Sequence, residues 1–112
     1  MKEIEFLVQG SSAEPYRVTF IRGEHNLAAF CTCPAGENGM YCKHRFAILA
    51  EDGSAITSKN GDQLVTVREW LSGTALEVAL IEIAGALHEY DAAKNRLADA
   101  KRTVAQAMRN KS

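Results

Sequence analysis

Apolar and polar residues alternate over EIEFLVQ (residues 3–9), where Ile4, Phe6 and Val8 occupy every second position. A period of two is that of a strand with one buried face. The alternation returns in YRVTFIR (16–22) through Tyr16, Val18 and Phe20, with GSSAEP as the turn between. GEHN (23–26) supplies a second turn, and LAAFCTC (27–33) is expected to run back as a third strand. Pro34 has no amide hydrogen and ends regular pairing there. AGENG reads as a loop, and KHRFAILAE, from Lys43, as a short helix closed by Asp52-Gly53.

Residues 54–63, SAITSKNGDQ, show no period and are read as a loop, with Asn60-Gly61 as turn chemistry. VTVREWL (65–71) is expected to be a short helix ended by Ser72-Gly73, with Trp70 a core residue. Thr74 followed by Glu77 is a capping box, in which hydroxyl and carboxylate satisfy free amides at a helix start. No proline follows Pro34, and Gly85 is the only glycine after Gly73, so one helix can run from about 75 to 109.

Within that helix Leu76, Ile83, Tyr90, Leu97 and Val104 recur every seven residues. Ala79, Ala86, Ala93, Ala100 and Ala107 recur three positions further on. Five heptads of a large residue alternating with alanine form a coiled-coil seam, and the small residues let helix axes approach. Such a helix is about 52 Å long, against a radius of gyration near 13 Å for a compact 100-residue domain. Its distal half is therefore expected to pair with another helix, most simply in a homodimer.

Composition narrows the rest. The 112 residues suit a single modest domain, 46% hydrophobic and 24% charged, with net charge -1. That balance excludes a globally basic nucleic-acid binder, so any such surface is local. The first ten residues carry one lysine and two glutamates without a long apolar run, and no stretch approaches the ~18 apolar residues of a membrane span. A cytoplasmic chain without a membrane partner is expected, its thiols reduced.

All three cysteines fall within CTCPAGENGMYCKH (31–44): Cys31-x-Cys33, eight residues, then Cys42-x-His44. Tetrahedral zinc takes such donors at about 2.0–2.3 Å, and Cys3His is a common structural set. Residues two apart on a strand share a face, so Cys31 and Cys33 can present both sulfurs together. Gly36 and Gly39 let the loop fold Cys42 back, and Lys43 and Arg45 favour thiolates. Four ligands close the shell, which argues for a structural ion, one Zn2+ per chain. A redox C-x-C pair is the alternative, but it leaves Cys42 and His44 without a role; an iron–sulfur cluster is another. His25 and His88 lack partners at ligand spacing, and Tyr41 and Phe46 are expected to pack around the metal.

C-x-C, a short loop and C-x-H, after two strands and before a short helix, resembles the SWIM-type zinc finger, including the proline after the second cysteine. The resemblance covers about residues 4 to 50. Together with the heptad pattern it gives the expected α+β fold: a small antiparallel sheet with a zinc-bound ββα-like module, then the long coiled-coil-like helix read from the heptads. The expected organisation is a zinc module over 1–53, a connector over 54–73 and the dimerising helix over 74–112. SWIM-type fingers act as DNA-binding or protein-interaction modules, and no catalytic motif stands beside this one. Arg22, Lys43, Arg45, Lys94, Lys101 and Arg102 are the candidate DNA contacts. A purely protein-binding adaptor of a nucleic-acid-processing complex is the alternative.

Overall fold

The computed structural model describes residues 2–111. Lys2–Val8 (β1), Tyr16–Arg22 (β2) and Leu27–Cys31 (β3) form an antiparallel meander in the order β1-β2-β3. Ile4 pairs with Phe20 and Phe6 with Val18 across one ladder; Val18 pairs with Cys31 and Phe20 with Ala29 across the next. This register gathers Ile4, Phe6, Val18, Phe20 and Cys31 on one buried face, as period two requires. Phe6 and Phe20 meet edge to face, 6.1 Å between ring centres.

The remaining core comes from Lys43–Leu49 (α2; α1 is introduced below), which buries Ile48 and Leu49, and from Leu64–Leu71 (α3), which buries Val67 and Leu71. Helix α2 stops two residues before its expected end. Ala50 caps it, and Glu51 turns into the left-handed region at φ 61°. Trp70 is only half-buried, in contrast to the core position expected of it.

Two expected loops are structured. Pro34–Glu37 forms a one-turn helix (α1) with proline at its start, where a missing amide hydrogen costs nothing. Residues 55–60 run along the outer edge of β1. The Gln9 and Thr57 amides donate to the carbonyls of Ala55 and Leu7, both at 2.8 Å, and the Asn60 side chain donates to the Glu5 carbonyl at 2.8 Å. A segment without apolar alternation can do this because its work is done by backbone and short polar side chains.

The last helix, Ala75–Arg109 (α4), starts where the capping box predicts, although the carboxylate reaches the amide one residue before the cap. The Glu77 amide donates to the Thr74 hydroxyl at 3.3 Å, and the Glu77 carboxylate accepts from the Gly73 amide at 3.1 Å. Thr74 is itself buried, its hydroxyl donating to the Leu71 carbonyl. The chain divides into two compact units, one ending at Glu77 and the other beginning at Val78. No side chain of α4 is buried, and among the described residues no single helix is long and apolar enough to cross a membrane.

Candidate metal centre

Three elements deliver the four donors. Cys31 is the last residue of β3 and lies on its inner face. Cys33 is not on the strand, where two-residue spacing would place it. It is the N-cap of α1, at φ -66° and ψ 159°. Cys42 is the N-cap of α2, and His44 lies in that helix's first turn. The short helix α1 thus replaces a continuing strand, and two helix starts bring their first side chains toward the strand end.

The Cys31, Cys33 and Cys42 sulfurs and a His44 ring nitrogen all lie within 4.8 Å of one another. Cys33 Sγ and Cys42 Sγ are 3.4 Å apart, and His44 Nδ1 is 3.6 Å from Cys42 Sγ and 3.8 Å from Cys31 Sγ. A tetrahedral zinc ion with ordinary bond lengths requires edges of about 3.8 Å between sulfurs and about 3.6 Å from sulfur to nitrogen. The sulfur–nitrogen separations lie within 0.2 Å of that edge, and the sulfur–sulfur separation is about 0.4 Å shorter than its own. They are far from the ~2.05 Å of a disulfide, and all three cysteines are free.

The surroundings suit thiolates. The Cys33 amide donates to Cys31 Sγ at 3.5 Å, and the Gly36 amide to Cys33 Sγ at 3.3 Å. Burial pushes the Cys42 thiol up, but the Arg45 backbone amide and hydrogen bonds from Cys33, His44 and Cys31 outweigh it and bring it to about 6. Burial dominates at Cys31, which is pushed up to about 12. One thiolate in the metal-free set is thus favoured by its amide and side-chain hydrogen bonds and its neighbour opposed, chiefly by burial.

His44 presents Nδ1 to the sulfurs, leaving Nε2 buried without a hydrogen-bond partner. Its ring lies 5.1 Å from that of Tyr16. Gly10 closes over both rings: a Cβ there would stand 2.4 Å from the Tyr16 ring and 3.0 Å from Nε2. The Gln9 side chain holds this loop by donating to the carbonyls of Gly10 and Ser12, at 3.2 and 2.9 Å. This cover escaped sequence reading, in which Gly10 looked like any turn glycine.

The candidate nucleic-acid residues divide. Arg45 donates through its guanidinium to the carbonyls of Ala29 (3.0 Å) and Met40. Its contribution to the site is the backbone amide, and its positive charge serves as a brace. Arg22 likewise donates to the carbonyls of Gly23 and Asn26. Lys43 is exposed at the start of α2. On α4, Lys101 is exposed, Lys94 lies 5.5 Å over the Tyr90 ring, and Arg102 pairs with Asp99. Tyr41 stacks on Phe46 with 4.1 Å between ring centres and remains 61% exposed, so it does not pack inward on the metal.

Residues 15–51, a third of the chain, match the family model of the SWIM zinc finger. No curated protein and no solved structure matches the chain. The matched span contains all four donors, begins after β1 and ends just past α2. Donor chemistry, spacing and family agree on one structural Zn2+.

Proposed function

We propose that this chain, which carries a SWIM zinc finger, is a non-catalytic protein-interaction module whose C-terminal helix joins two copies. The zinc shell is full with four protein donors, which leaves no coordination position for a substrate or an activated water. Zinc here organises a surface. Met40 and Tyr41, which precede Cys42, expose 62% and 61% of their areas. An apolar, partly rigid pair next to a metal-fixed loop is the anchor type that protein interfaces favour. That exposed pair, with the Tyr41 ring held flat on Phe46, carries the reading. The self-association half rests on the seam of α4, where Tyr90, Leu97 and Val104 each expose over half their area.

Affinity capture with zinc-loaded protein, compared with Tyr41→Ala and Met40→Ser, tests the head. One stoichiometric protein retained by the parent and lost from both variants, at unchanged zinc content, is the expected result. Equal capture by all three refutes the role of the pair.

DNA binding is the second reading, favoured by the free Lys43 and by the basic distal stretch that contains Lys94, Lys101 and Arg102. It predicts affinity that falls steeply with salt. Fluorescence anisotropy with labelled single- and double-stranded DNA at low salt separates the two. A salt-dependent complex supports this second reading, and no complex removes it.

A further inference from the structure

We infer that α4 pairs with α4 of a second copy in antiparallel orientation, the acidic half of each helix lying along the basic half of the other. The inference rests on the self-association proposed above and adds its direction.

Charge is the first observation. From Ala75 to Asp91 the helix carries Glu77, Glu82, Glu89 and Asp91 and no lysine or arginine. From Lys94 to Lys111 it carries Lys94, Arg96, Lys101, Arg102, Arg109 and Lys111 against Asp99 alone. Asp99 is already paired with Arg102 on the same helix. A parallel pair therefore sets four negative charges beside four and a basic cluster beside its copy. An antiparallel pair sets each cluster beside its opposite, and opposed helix dipoles add to the preference.

Shape is the second, independent observation. In an antiparallel pair whose register sets Leu76 opposite Ala107, the remaining layers follow: Ile83 on Ala100, Tyr90 on Ala93, Leu97 on Ala86 and Val104 on Ala79. Each of the five large seam residues then meets an alanine, so every layer has the same width. Nearly the whole of Ala75–Arg109 overlaps. A parallel in-register pair stacks large on large and alanine on alanine, alternately holding the helices apart and leaving voids. The antiparallel register also places Glu89 and Arg96 of the two copies on the same flank of the seam, one residue before Tyr90 and Leu97 respectively and nearly level. In a parallel pair those residues are offset by about 10 Å along the axis.

The test uses the full zinc-loaded chain. Sedimentation equilibrium at tens of micromolar gives the mass. Carbodiimide cross-linking of an equal mixture of natural-abundance and 15N-labelled Arg96→Lys protein, which keeps the charge and adds a reactive amine, then identifies links between chains by mass spectrometry. A dimer with a mixed-isotope link between Glu89 and position 96 is expected. Glu89→Lys and Arg96→Glu, taken separately, each place like charges together twice in the symmetric pair, and each weakens the dimer about tenfold. An equimolar mixture of the two variants restores parental affinity, because each altered side chain then faces its opposite. A monomer overturns the self-association reading, and this inference with it. A dimer with neither the link from Glu89 to position 96 nor the rescue overturns the direction alone.

Discussion

Gly36→Ala is the perturbation that probes the metal centre most sharply without removing a ligand. A Cβ at this position would stand 2.4 Å from the Cys31 carbonyl oxygen and 2.8 Å from the Cys31 Cβ. Ordinary contact begins near 3.4 Å, so the strand end or α1 has to move by about 1 Å, and both obstacles belong to the ligand Cys31 rather than to a flexible side-chain tip. Ligand distances in a zinc site tolerate about 0.2 Å. The same residue donates its amide to Cys33 Sγ, so retreat also stretches the bond that supports the second thiolate. Overpacking of this kind costs about 1–3 kcal/mol, which corresponds to zinc affinity roughly 5- to 150-fold weaker. Competition titration against a chromophoric chelator measures the affinity, and the visible spectrum of the cobalt-substituted protein reports the ligand geometry. Gly61→Ala is the control, because nothing lies within 4 Å of a Cβ there. Gly36→Ala protein that binds zinc within twofold of the parent, with an unchanged cobalt spectrum, refutes the close-approach argument.

Arg45→Ala removes two carbonyl contacts from a partly buried guanidinium and is expected to cost about 2–3 kcal/mol in urea denaturation. Lysine at 45 recovers less than half, having no fork to span both carbonyls; a loss confined to DNA affinity, with stability intact, contradicts the bracing role. In metal-free, reduced protein, Cys42 has a pKa of about 6 folded against 9.0 in the unfolded chain, so the unfolded state binds the extra proton between those values. Stability of the metal-free form therefore rises from about pH 6 to about pH 9 and is lost as pH falls through 6; a melting temperature flat or falling over that window counts against the arrangement. Gly85→Ala, in the exposed interior of α4 with no atom within 4 Å of a Cβ, is expected to stabilise the helix by about 0.5–1 kcal/mol. A thermal midpoint that does not rise indicates that Gly85 has a packing partner.

Where apolar periodicity carried the information, the sequence was legible. Alternate residues of β1 and β2 pointed to a half-buried sheet, and the capping box placed the start of α4, because each signal is local and repeats. The clustering of cysteines likewise pointed to a tetrahedral donor set. The route to that set was less legible. Cys31 and Cys33 were expected to share a strand face, whereas Cys33 caps α1, since Pro34 ends β3 and simultaneously favours a helix start. Gly36 looked like loop flexibility and is instead a position with no room for a side chain. Arg45 looked like a counter-charge for the thiolates and is tied to the carbonyls of Met40, five residues back, and of Ala29 on β3. Residues 55–60 carry no period because their pairing with β1, about fifty positions away, runs through main-chain atoms and Asn60. Long-range hydrogen bonds of this type leave no pattern in a single sequence.

The same two features bear on how the first unit meets other molecules. A three-stranded sheet has two open edges, and exposed edges invite uncontrolled strand pairing. Here residues 55–60 occupy the β1 edge. On the other side Arg45 covers the Ala29 carbonyl, and Gly36 packs on the carbonyl of Cys31. Both closures depend on elements that the metal positions or on chain beyond the matched finger. Strand addition is thereby disfavoured, which is consistent with the function proposed above, in which side chains carry recognition: Met40 and Tyr41 on the metal-fixed loop, and the seam of α4. Zinc accordingly serves less to hold a ligand than to keep the elements in place that occupy these backbone groups.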